Sequence, residues 1–163
     1  MEIIEAITFL DSQIPNSEQG LPEEIFLFAS TLMPMVNVDL LIKDEQGRTL
    51  LSWRDDKYCG KGWHIPGGII RFKETMHSRI MKVAELEIGN KIEYEPNPIA
   101  INEIILEQNT RGHFISFLYK CFLQSTVFID NKELKETDAG FLKWHKSCPC
   151  DLLEMHELYR KYM

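Results

Sequence analysis

The spacing of apolar positions along this chain changes several times, and each change marks an element. Met35 to Lys43 (MVNVDLLIK) is a nearly continuous apolar run, which predicts a strand. Asp44-Glu45-Gln46-Gly47 forces a turn, and Arg48 to Arg54 (RTLLSWR) reads as the hairpin partner. Asp55 to Gly62 is polar and predicts a loop, after which Trp63-His64-Ile65 runs into a second forced turn at Pro66-Gly67-Gly68. From Thr75 to Ile88 the period becomes helical, and Gly89-Asn90 ends it. Pro98 to Gln108 and His113 to Gln124 predict two longer strands joined by Asn109-Thr110-Arg111-Gly112. Phe141 to His145 predicts a short strand, and Asp151 to Tyr162 an amphipathic helix. Upstream, residues 1–20 are weakly patterned, and Leu21-Pro22-Glu23-Glu24 opens a short helix with Pro and acids in its first turn. Strands, one helix, strands, one helix is the order of an α+β or sandwich-type domain, not of a regular βαβ array.

One polar residue interrupts the apolar stripe of the 75–88 helix. Ile80, Val83 and Ala84 precede Glu87 by seven, four and three residues, so Glu87 shares their inward face. A carboxylate there is unfavourable by several kcal/mol unless a cation meets it. Either an Arg or Lys pairs with it, or a metal ion does. Glu85 points elsewhere and reads as a surface partner of Lys82. The Pro-Gly-Gly turn just before the helix lets backbone groups approach a ligand closely. A backbone carbonyl with a carboxylate is a hard-oxygen site suited to Mg²⁺, completed by water and phosphate oxygens.

Composition narrows the classes. A length of 163 residues, 44% of them hydrophobic and 26% charged, suits one globular domain. No apolar run approaches the roughly 20 residues that span a bilayer, and Met1-Glu2-Ile3-Ile4-Glu5 has no basic region of a signal peptide, so a cytoplasmic protein without a membrane partner is expected. A net charge of −7 disfavours a nucleic-acid surface but allows a small anionic ligand held by local cations. Cys59, Cys121, Cys148 and Cys150 are expected as free thiols, because Cys148-Pro149-Cys150 lacks zinc spacing.

The segment Gly68-(five residues)-Glu74-(seven)-Lys82-Val83-Ala84-Glu85-Leu86-Glu87-Ile88-Gly89 resembles the Nudix box, G-x5-E-x7-R-E-U-x-E-E-x-G-U, with U apolar. Gly68, Glu74, Ala84, Glu87 and Gly89 match in register; Lys82 stands for the Arg, Val83 and Leu86 for two Glu residues, and Asn90 for the last apolar residue. The upstream Trp63-x-x-Pro66-Gly67-Gly68 is also typical. The loss of helix carboxylates is similar to that in the GDP-mannose mannosyl hydrolase branch, and that likeness runs over roughly residues 22–145.

The resemblance implies a Nudix-type α/β/α sandwich with a mixed central sheet and flanking helices. It implies an N-terminal helical segment, residues 1–34, available to a homodimer interface, ahead of a hydrolase domain, residues 35–163. It implies hydrolysis of a nucleoside-diphosphate compound, such as a nucleotide sugar of the GDP-mannose kind, with Mg²⁺ or in its place Mn²⁺. The metal would be held by the Gly67 carbonyl, Glu87 and Asp138. Gly68, Glu74, Lys82 and Gly89 would be structural, with Glu74 and Lys82 paired. Asp39 and Arg54 align with an Asp and an Arg of that branch. Its Arg after Gly-Gly is replaced by Ile69, and Arg71, on the same face in an extended segment, is expected to act on the diphosphate instead. Its loop His is replaced by Ala139, which leaves Glu136, Asp138 and His113 as candidate general bases. Trp63 or Trp53 offers a nucleobase a stacking surface, and His64 reads as a packed or rim residue.

Overall fold

The computed structural model describes residues 2–124 and 126–163. Strand β1 (Met35–Lys43) lies at the centre, buried on both faces as its apolar run requires. It runs parallel to β7 (His113–Phe122) along its whole length, from Met35↔Phe114 to Lys43↔Phe122. The other neighbours pair antiparallel, which makes the sheet mixed: β2 (Thr49–Asp56), β3 (Gly60–His64), β4 (Gly67–Ile69), β5 (Glu93–Tyr94), β6 (Ala100–Ile105) and β8 (Leu142–His145).

The edge of β1 away from β7 is divided between two strands. β2 pairs at its end, Lys43↔Thr49, whereas β4 pairs at Asn37↔Ile69 through Asp39↔Gly67. The two strands diverge from that edge, and residues of both line the cavity left between them.

Each face of the sheet carries one packing layer. Helix α3 (Met76–Val83) is capped by Thr75, whose side chain accepts from the Ser78 amide, and it buries Ile80 and Val83 against Val38, Leu40 and Ile42. It continues as a π turn, Ala84–Ile88, that Gly89 closes at φ 70°. On the opposite face a 3-10 helix, Glu154–Tyr162, covers Leu41, Leu51, Trp63 and Leu118. An α-helix was the expectation here. The buried residues Leu153, His156 and Tyr159 recur every third position, the period of a 3-10 helix.

Two other expectations change. The polar loop 55–62 is mostly strand, because the Asp56 side chain accepts from the Tyr58 and Cys59 amides and folds a tight hairpin between β2 and β3. The weakly patterned start forms α1 (Ile3–Ser12), which buries none of its residues, followed by α2 (Glu23–Ala29). All four cysteines are free, and among the described residues no helix is long and apolar enough to cross a membrane.

Candidate functional site

Glu87 sits in the π turn, where the helix widens by a residue and turns its last acid toward β4. The Gly67 N–H donates to its carboxylate. Among the described residues no Arg or Lys forms an ion pair with it. Burial pushes its pKa up to about 7, with the nearby Asp39 charge adding to that rise and Arg54 and the Gly67 amide opposing it. A half-buried carboxylate with no ion-pair partner at contact distance among the described residues is suited to a bound cation.

Asp39 lies beneath it, 3% exposed. Its side chain accepts from Asn37 at 2.9 Å, and from Ser116 and Tyr159 at 2.5 Å each. Burial raises its pKa and those three hydrogen bonds pull it back. Its Oδ1 is packed against Gly67, where an added Cβ would stand 2.3 Å from Oδ1 and 2.8 Å from the Val38 carbonyl. Gly67→Ala is therefore expected to destabilise the protein by about 1–3 kcal/mol, measured by urea unfolding. An unchanged midpoint would mean that β4 is free to move away from β1.

Arg54, at the end of β2, faces all three cavities around this point and is paired with Asp56 at 3.2 Å. A cleft of about 660 Å³ holds Glu87, Arg54, His64, Ala139 and Gly140 in its walls. His64, expected as a packed or rim residue, is 6% exposed and lines this cleft. Its Nδ1 lies 2.9 Å from the Ile65 carbonyl, which only accepts, so that nitrogen carries the proton. Among the described residues Nε2 has no hydrogen-bond partner, which leaves it as an acceptor on a ring that lines the cleft. Burial, the Arg54 charge and His156 hold the His64 pKa well below the usual 6.5. His156 accepts from the Ile65 amide at 3.1 Å, and burial with the Arg54 charge takes it down to about 3. No periodicity marks His64, because its position between strand and turn is set by the β2–β3 hairpin.

The remaining box residues hold the helix in place. Glu74, as expected, pairs with Lys82, at 2.9 Å, but Arg79 also reaches it, at 2.6 Å, and Glu74 and Arg79 are only 4% and 7% exposed. Burial alone would raise the Glu74 pKa; hydrogen bonds from Lys82, the Arg71 amide and Arg79 outweigh it and hold it at about 2. Lys82 thus turns to Glu74 and not to Glu85, which is exposed at the cleft edge. A Cβ on Gly68 would meet Val83 at 2.9 Å and Arg79 at 3.1 Å, so this glycine lets β4 approach α3.

Other expected site residues stand elsewhere. Trp63 is 3% exposed, packed edge-on against Trp53, Phe141 and His145, and bridged to Leu152. It is a core residue in place of the expected stacking surface, because the C-terminal segment covers it; Trp53 reaches the cleft instead. Glu136, expected as a catalytic acid or base, lies exposed and bound to Lys143, outside the cleft walls. The Asp138 carboxylate accepts from the Lys135 amide at 2.8 Å in a local turn, while its neighbours Ala139 and Gly140 line the cleft. His113 faces Glu103 at 3.2 Å. Arg71 does share a cavity wall with Ile69 and Arg54.

Among the described residues no group of three or more His, Cys, Asp or Glu side chains converges as a metal cage. An ion with few protein ligands and several water or phosphate oxygens fits this donor set, and that describes Mg²⁺ better than a structural zinc.

Solved structures share this architecture. A MutT protein from Methanosarcina mazei Go1 matches with a TM-score of 0.53 at 17% identity, over 69% of this chain and 77% of its own. A NUDIX hydrolase from Nitrosomonas europaea gives 0.55 at 17%, over 69% and 72%. The NUDIX domain of Shewanella oneidensis NrtR, in a complex with ADP ribose, gives 0.50 at 15%, over 89% and 83%. The chain has the Nudix fold. In sequence it is similar to the low-salt glycan biosynthesis protein Agl8 of Haloferax volcanii, 35% identical over 63 residues. That match spans 39% of this chain and 40% of Agl8, well under half of either. No family model matches the chain.

Proposed function

We propose that this chain is a Mg²⁺-dependent hydrolase of a nucleoside-diphosphate compound, with a nucleotide sugar such as GDP-mannose as its substrate class. The observation that carries the reading is Glu87, half-buried beside Gly67 and, among the described residues, in no ion pair with a cationic side chain. Glu87 and the Gly67 carbonyl hold the ion, with Mn²⁺ able to replace it. When bound, Mg²⁺ supplies positive charge to diphosphate oxygens. Arg54 binds those oxygens from the β2 side, Arg71 from beyond β4, and both hold the diphosphate at the opening between the strands. His64 accepts a hydrogen bond at Nε2 from water or a substrate hydroxyl, which orients that group in the cleft. Asp39 positions Gly67 from below. Glu87 is the helix carboxylate turned toward Gly67, whereas Glu85 is exposed at the cleft edge, and one inward carboxylate favours water attack at the sugar carbon, which releases the nucleoside diphosphate intact. The glycan-biosynthesis description of Agl8 supports a sugar-bearing substrate.

The test is incubation with GDP-mannose and a panel of nucleoside-diphosphate compounds, with Mg²⁺ or with chelator, assayed for phosphate, nucleotide and free sugar. Metal-dependent release of nucleoside diphosphate and sugar supports the reading. One observation favours a second reading, a nucleotide-binding module without turnover: Glu136 and Asp138 are both engaged away from the cleft. Binding across the panel without any product would select it.

Residues 1–34 are proposed as a dimer interface beside the hydrolase domain of residues 35–163. Ile3, Ile4, Ile7 and Phe9 of α1 are all more than half exposed, an apolar surface that a second copy would bury. Sedimentation at micromolar concentration is expected to give twice the 19.1 kDa chain mass. A monomer there, or a dimer that persists after Ile4→Glu/Ile7→Glu, would remove α1 from the interface.

A further inference from the structure

Two large cavities meet at Arg54, and their charges are opposite. The 660 Å³ cleft that contains Glu87 is lined by five acids, Asp55, Asp56, Glu85, Glu87 and Asp130, against Arg54 and Lys132. The second cavity, about 560 Å³, lies between the N-terminal segment and β4. Among the described residues its walls contain Arg54, Arg71, Arg79 and Arg111 and no acid. This is unexpected in a chain with 25 acidic and 18 basic residues.

The four guanidiniums are not equivalent. Arg79 is neutralised by Glu74 and Arg54 is shared with Asp56. Arg71 and Arg111 form no ion pair with any described residue. The Arg111 guanidinium lies 4.8 Å from the Tyr58 ring and 5.7 Å from the Phe26 ring, which hold it in place. Its Nε is buried and has no hydrogen-bond partner among the described residues. Glu23 and Asp56 feel its charge from beyond ion-pair distance. Arg71 packs against Gly20, where a Cβ would come within 3.3 Å of Cζ. Arg111, held between two rings and in no ion pair among the described residues, forms a receptor for an anion in this cavity, and its fork suits phosphate or carboxylate; Arg71, exposed and proposed above to reach the diphosphate, borders the same cavity.

We infer that this cavity takes an anionic group, a phosphate or a carboxylate, that the substrate carries beyond its diphosphate. The inference rests on the diphosphate lying at Arg54, as proposed above. The cation then sits on the acidic side of Arg54 and the second anion on the basic side. Phe26 and Phe72 wall the apolar remainder, so residues of the N-terminal segment help to select the substrate.

Calorimetry on the full chain in chelator, where no turnover occurs, compares ligands in matched pairs. GTP is set against GDP for a terminal phosphate, and UDP-glucuronate against UDP-glucose for a sugar carboxylate. At least one anionic member is expected to bind about tenfold tighter than its pair, the gain of one charge-assisted bidentate contact. The pair that shows the gain identifies the source of the anion. Arg111→Gln is expected to reduce that ratio to about threefold or less, and Arg111→Lys to keep more of it; both retain the residue-111 amide that bonds Ser30. Equal affinities within both pairs overturn the inference and leave the diphosphate reading standing. A gain that survives Arg111→Gln also overturns it, since the anion then lies elsewhere. If GDP and UDP-glucose fail to bind with Mg²⁺ added as well as in chelator, the diphosphate reading falls and this inference falls with it.

Discussion

Glu87→Gln is expected to lower Mg²⁺-dependent turnover by on the order of 100-fold or more, about 3 kcal/mol of lost stabilisation, while the protein stays folded. The amide keeps the shape and still accepts from Gly67, but it carries no charge for the ion. Folding is expected to be untouched, because burial already disfavours the charged form of this carboxyl. Without metal, above pH 7, the variant is expected to be at least as stable as the parent. Thermal unfolding with and without Mg²⁺ separates the two effects: the ion should raise the midpoint of the parent and leave the variant unchanged. Full activity in Glu87→Gln, or an equal Mg²⁺ shift in both proteins, removes Glu87 from the metal site.

The largest stability effect is expected at Arg79. Arg79→Met leaves the buried Glu74 with the more exposed Lys82 as its remaining cation, beside the Arg71 amide, and breaking such a pair typically costs about 3–5 kcal/mol. The retained lysine places this variant at the lower end. The effect has a defined pH window. The folded-state pKa of Glu74 is depressed to about 2 from an ordinary 4.5. The unfolded chain therefore binds the proton first as pH falls, and the stabilisation, full above about pH 5, is lost on the way down to pH 2. The buried neutral His156, with a folded pKa of about 3, adds acid destabilisation below pH 6.5. Because His156 is common to both proteins, the parent–variant difference isolates Glu74. Urea unfolding at pH 7 and pH 3 should give a large difference at pH 7 and a smaller one at pH 3. A difference that does not change with pH would mean that Arg79 acts by packing alone.

Much of the site was legible in the one-dimensional pattern because it is local. The residues of the box lie within 22 positions, Gly68 to Gly89, and helical spacing alone put Glu87 on the inward face. The Glu74–Lys82 pair came from the resemblance of that same stretch to the Nudix box, and the structure contains it. The strands Met35–Lys43 and His113–Phe122 are likewise near-continuous apolar runs whose identity needs no partner to be read.

What the sequence could not decide is what distant segments do to one another. Trp63 reads in sequence as a stacking surface, but the C-terminal segment covers it, with Leu152 bridged to its backbone and Tyr159 in the same cluster. His64 looked ordinary until the Ile65 carbonyl fixed its proton and the β2–β3 hairpin turned its ring into the cleft. Arg79 gave no signal because its partner Glu74 lies across the helix start, and the unpaired state of Arg111 depends on the fold of residues 20–30, far away in sequence. Sequence fixes which residues face inward, since side-chain direction follows backbone period. Only tertiary packing decides which buried charge finds a partner, because the field at a carboxylate or a guanidinium is set by groups brought near it from the whole chain.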